Sequence, residues 1–92
     1  MSYPLIKLKA TKNLFSRTAI LLVEQLKEIN ADIYFRSGGR QVNAQALIGL
    51  LSLGIRQGDT FEVFIFSSDE AAQEKFLEVI TDYCEVKPST FL

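Results

Sequence analysis

The residues best placed to do chemistry lie in one short run, KNLFSRTAI, residues 12–20. Asn13, Ser16 and Thr18 are the small polar types that start helices, because a side-chain oxygen can accept a hydrogen bond from an unpaired N–H of the first turn. Arg17 adds a fixed charge able to fork onto a phosphate or carboxylate. One reading is therefore an anion site made of Ser16, Arg17 and the N–H groups of the helix start. The other makes Ser16 a helix cap, worth ~0.5–2 kcal/mol, and Arg17 a solvated charge. Phe15, a large apolar ring, stands in the middle of this run.

The remaining reactive types offer less. Ser16 and Thr18 are candidate phosphoacceptors, with capping as the alternative for each. Cys84 is the single cysteine and the chain has no His, which excludes a disulfide framework and removes the commonest metal ligand and general base. The pattern predicts Cys84 as a packed thiol in the last helix. Glu24, Glu28, Glu74 and Glu78 occur at helical spacing and read as solvated faces. No enzyme, metal site or cofactor is expected. Ten basic against eleven acidic residues leave no broad basic face for nucleic acid.

Positioning these residues requires a fold, and 92 residues support one domain with a modest core. We assign the domain to residues 1–86 and expect a loosely ordered tail over 87–92. No run approaches the ~20 apolar residues of a membrane span, no signal-peptide pattern opens the chain, and the lone cysteine suits a reducing cytoplasm. Ser2 to Lys9 alternates with Ile6 and Leu8 inward, predicting a strand. From Ser16 the period lengthens, and Ala19, Leu22, Val23, Leu26 and Ile29 form one helical stripe, with Asn30 as a left-handed stop. DIYFR, Gly38-Gly39 and RQVN predict a hairpin. Ala46 to Leu53 predicts a short helix ended by Gly54, and TFEVFIF a strand with Phe61, Val63 and Ile65 inward. A last helix is expected from SSDE, where Ser67 and Glu70 have capping-box spacing, with Ala72, Phe76, Val79, Ile80 and Tyr83 on its apolar face. The expectation is α+β: an open-faced sandwich with a four-stranded antiparallel sheet and three helices on one face (βαββαβα).

Two stretches carry a family resemblance. VNAQALIGLLSLGI, residues 42–55, closely resembles the segment around the regulatory serine of HPr, the histidine-containing phosphocarrier protein of the bacterial sugar phosphotransferase system. NLFSRT, residues 13–18, lies where that family has a motif of the form Gly-Leu-His-Ala-Arg-Pro; Leu14 and Arg17 agree, and NADI at 30–33 is a further match. The resemblance spans Ser2 to Tyr83 and implies that Phe15 replaces the phosphorylated histidine and Ala46 the regulatory serine. A phenyl ring has no nitrogen and a methyl no hydroxyl with which to hold a phosphoryl group. The related catabolite-repression HPr-like proteins replace the histidine but keep the serine, a pattern this chain also leaves.

The resemblance implies a docking surface on the first two helices. Phe15, Arg17, Ile20, Leu47, Ile48 and Leu51 would form an apolar patch with one charge, binding a protein of the phosphotransferase system or of carbon catabolite control. The alternative folds Phe15 back on Ile48 to seal the two helices. Leu5, Tyr34, Phe64 and Phe66 are expected on the open sheet face, where a contiguous patch would support a homodimer. The functional expectation is thus a non-phosphorylatable regulatory module; the alternatives are phosphotransfer through Ser16 or Thr18 and a self-associating structural domain.

Overall fold

The structure, a computed structural model, describes residues 5–86, and for Leu5 the backbone alone. Its elements are β1 (Leu5–Ala10), α1 (Ser16–Lys27), β2 (Asp32–Ser37), β3 (Arg40–Asn43), α2 (Leu47–Leu53), β4 (Thr60–Phe66), α3 (Ala72–Ile80) and β5 (Cys84–Val86). The strands form one sheet in the order β3-β2-β4-β1-β5, every pair antiparallel.

Alternation decides which side of the sheet is covered. Ile6 and Leu8, Ile33 and Phe35, and Phe61, Val63 and Ile65 point to one face and are buried. The stripe Ala19, Leu22, Val23 and Leu26 of α1, Leu50 of α2, and Ala72, Phe76 and Ile80 of α3 join the same core, so all three helices lie on that face. Phe35 sits at the centre, its ring 4.9 Å from Phe61 and 6.3 Å, edge-on, from Phe76. Burial of such side chains, at about 25 cal/mol per Å² of apolar area, is the main force holding helices to sheet. Among the described residues no helix is long and apolar enough to cross a membrane.

The α+β expectation holds, with differences at element ends. The sheet has a fifth strand: the last helix stops at Ile80, and Cys84 lies in β5, paired with Ala10, rather than in α3. Tyr83 also follows the helix, although its side chain is buried and its hydroxyl donates to Gln25 Oε1 at 3.0 Å. Ser67 does not form a capping box. Its hydroxyl donates to the Asn30 carbonyl and accepts from the Asp69 N–H at 2.9 Å, Asp69 Oδ1 accepts from the Ala71 N–H at 2.9 Å, and the helix starts only at Ala72. α1 ends at Lys27 with Glu28 as its C-cap, and Asn30 does not take a left-handed conformation. The first strand starts by Leu5; the part assigned to residues 2–4 and the tail assigned to 87–92 lie outside the described residues.

Candidate functional site

The helix pair α1–α2 is clamped at both ends, which sets the geometry of the surface. At one end the Leu14 N–H donates to the Ile55 carbonyl and the Gln57 N–H to Asn13 Oδ1, both at 2.8 Å. At the other, Gln45 Nε2 donates to the Leu26 carbonyl at 2.8 Å. The start of α1 therefore lies by the end of α2, and the end of α1 by the start of α2, so the two run antiparallel. Asn13, expected to help start the helix, instead ties it to the segment after α2.

Ser16 is not the N-cap. Phe15 holds that position, with extended backbone (φ −147°, ψ 178°), and Ser16 is the first helical residue at φ +56°. A β-carbon in the left-handed region costs roughly 1–2 kcal/mol, so the helix start is strained at this residue. The first intrahelical bond runs from the Ala19 N–H to the Phe15 carbonyl at 3.4 Å, leaving the N–H groups of Ser16, Arg17 and Thr18 ahead of the ladder. Ser16 and Arg17 are exposed and Thr18 half-buried. No acidic residue lies in this turn to compete with an anion.

The apolar members of the surface differ in exposure. Ile20 is 45% exposed, Leu51 38% and Ile48 83%, while Phe15 is half-buried. Leu47 is also half-buried and packs against the core, so it belongs more to the helix–sheet seam than to the outer face. With Ile48 so open, Phe15 does not seal it; the antiparallel arrangement sets Phe15 toward the other end of α2. Leu21, absent from the sequence reading, is 49% exposed. The signal was present: on a 100° per residue wheel Leu21 sits close to Arg17, at i+4, opposite the buried stripe. Ala46 is the N-cap of α2 with extended backbone and no side-chain cap bond.

Other candidates are structural. Cys84 is 2% exposed, and burial pushes its thiol up to about 12, which makes it inert as a nucleophile at neutral pH. Burial, then the charge of Asp82, raises the Tyr83 phenol. Among the described residues no group of three His, Cys, Asp or Glu is placed to hold a metal. On the open sheet face Tyr34 and Phe64 are paired across the strands, and the Tyr34 and Phe66 rings meet edge-on at 5.8 Å. All three rings are half-buried, and the backbone of Leu5 is in register with Phe64.

Against known proteins, the family described as "PTS HPr component phosphorylation site" matches residues 5–85. The chain belongs to the HPr family. It is 31% identical over 65 residues to the HPr-like protein Crh of Halalkalibacterium halodurans, covering 71% of this chain and 77% of that one. The phosphocarrier protein HPr of Bacillus anthracis has the same fold, with a TM-score of 0.78 at 22% identity over 90% of this chain and 99% of its own. Crh of Bacillus subtilis, whose crystal structure is described as a domain-swapped, intertwined dimer, superposes with a TM-score of 0.59 at 28% identity over 77% and 79% of the two chains. HPr and Crh proteins are phosphocarrier or regulatory proteins, and this chain, as a member of their family, is not an enzyme.

Proposed function

We propose that this HPr-family chain is a cytoplasmic protein-binding module of the phosphotransferase system or of carbon catabolite control that carries no phosphate itself. The observation that carries this reading is that four large apolar side chains of the helix pair, Ile20, Leu21, Ile48 and Leu51, are left open to solvent. They are the large apolar residues the fold leaves most exposed among those described, and an exposed apolar group of this kind marks a contact surface. Phe15 and Arg17 stand at one end of it. Family resemblance puts the phosphoacceptor at Phe15, and the chain holds no His that could replace it. Ala46, at the head of α2, likewise offers no hydroxyl.

The test has two parts. Incubation with phosphoenolpyruvate and the first enzyme of the phosphotransferase system, or with the HPr kinase and ATP, is expected to leave the intact mass unchanged. A stable phosphate on Ser16 or Thr18 would overturn the reading in favour of phosphotransfer. Capture from a lysate of a related bacterium, with wild type, Phe15→Ala and Ile48→Ala as baits, is expected to lose specific partners with either variant. Equal recovery by all three baits would reject the surface.

Self-association through the open sheet face is a second reading. It is favoured by the row of aromatic rings Tyr34, Phe64 and Phe66.

A further inference from the structure

On β2 the side chains of Asp32, Tyr34 and Arg36 alternate with the buried Ile33 and Phe35, so all three share the open face. Asp32 is exposed and makes no ion pair among the described residues. Arg36 lies two residues beyond Tyr34 on the other side. Its Nε donates to Glu62 Oε1 at 2.7 Å, and its guanidinium lies 4.9 Å from the centroid of Phe64. The Arg36 side chain is still 43% exposed. The face therefore has an aromatic centre, Tyr34 beside Phe64, with a free carboxylate at one end of β2 and an accessible guanidinium at the other.

This order is self-complementary. A two-fold axis lying between two such sheets, across the strands at Tyr34, lays β2 on a second β2 running the opposite way. Tyr34 then meets Tyr34, Phe64 meets Phe64, and Asp32 of each protomer meets Arg36 of its partner. We propose that the open face binds a second copy of this chain in this arrangement, with two Asp32–Arg36 ion pairs flanking the stacked rings. The proposal rests on the self-association reading and is independent of the α1–α2 surface. Face-to-face sheets pack ~10 Å apart with strands about 30° from aligned, a geometry that keeps near-axis pairs in reach. Arg and aromatic residues are the types enriched in protein contacts, and the Arg36 guanidinium is held in place by its pair with Glu62. Because the helices are on the opposite side, such a dimer presents two α1–α2 surfaces facing outward. A partner with two binding sites would be held with raised avidity.

Sedimentation of the full chain over a wide concentration range tests this. Wild type is expected to pass from monomer to twice the monomer mass. Asp32→Arg and Arg36→Asp alone each set like charges opposite one another twice, and each is expected to weaken the dimer by about tenfold or more. An equimolar mixture of the two variants restores both attractive pairs and is expected to recover the wild-type affinity, a result that misfolding of either variant could not give. Wild type that stays monomeric at the highest concentration overturns the proposal. So does a dimer that neither variant weakens, as an exchange of β1 between protomers or a contact through α1–α2 would produce, and so does a mixture that fails to recover.

Discussion

Gly49 faces the edge strand so closely that a β-carbon on it would stand 2.9 Å from the carbonyl oxygen of Asn43. The obstacle is backbone, which a rotamer change cannot remove. The hydrogen that stands in place of a β-carbon here lets α2 rest on β3, and the height of α2 above the sheet determines where Ile48 and Leu51 stand. Gly49→Ala would gain up to ~1 kcal/mol in helix propensity but incur ~1–3 kcal/mol of overpacking. A net loss of about 1 kcal/mol in urea denaturation is expected, together with weaker partner capture.

Ser16 gives the opposite sign. At φ +56° its β-carbon is unfavourable, and glycine removes that cost. Ser16→Gly is expected to stabilise the domain by about 1 kcal/mol after the larger entropy of unfolded glycine is subtracted. A lower denaturation midpoint would mean that the Ser16 hydroxyl makes a contact outweighing the strain.

Ala46 occupies an N-cap with the extended backbone (φ −118°, ψ 123°) that capping serines adopt. Ala46→Ser should stabilise α2 by ~0.5–2 kcal/mol. The same variant restores a hydroxyl at the position where the family resemblance places the regulatory serine, so its treatment with HPr kinase and ATP asks whether that enzyme can act on this chain. Mass spectrometry reads the answer.

Ile48 and Leu50 separate binding from stability. Ile48 is 83% exposed and Leu50 fully buried, only two residues apart. Leu50→Ala is expected to cost ~2–5 kcal/mol, whereas Ile48→Ala should change stability by less than about 0.5 kcal/mol and act on partner capture alone.

Much of this was legible beforehand because the chain alternates cleanly in its longer strands and keeps a helical period in α1. The losses have local causes. Three residues, Cys84 to Val86, are too few to show alternation, so β5 passed for the end of a helix. Ser67 has the spacing of a cap, but its hydroxyl is taken by the Asn30 carbonyl, a partner 37 residues away. The left-handed Ser16 and the Asn13–Gln57 tie arise from the folding of α1 against the segment after α2, and no short-range pattern announces them. In the candidate surface, Ile20 and Ile48 stand out in the sequence because they fall off the core stripes, and Leu21 falls off the stripe of α1 in the same way.

Cys84 makes stability depend on alkaline pH. Its thiol titrates near 12 in the folded chain, against a reference of 9.0. Between those values the unfolded chain releases a proton that the folded chain keeps. The unfolded state then binds fewer protons, and stability falls as pH rises. The slope from this group approaches about 1.4 kcal/mol per pH unit above pH 9, and the raised Tyr83 phenol acts in the same direction. Denaturation midpoints for wild type and Cys84→Ala should converge as pH increases; parallel curves would contradict the burial of the thiol. Alkylation at pH 8 should likewise be slow until the chain is unfolded.

The clamps at the two ends of α1 and α2 have a thermodynamic consequence for whatever binds there. The contact residues come from segments about thirty positions apart, and the Leu14–Ile55, Asn13–Gln57 and Gln45–Leu26 ties help set them side by side. A peptide copy of either helix would present half a surface. A partner that grips both recognises the folded chain alone, so by mass action it raises the melting temperature of the chain it holds, by RT ln(1 + [L]/Kd) in free energy. Occupancy would thereby set the lifetime of the protein, and a chain without its partner would be the first to unfold.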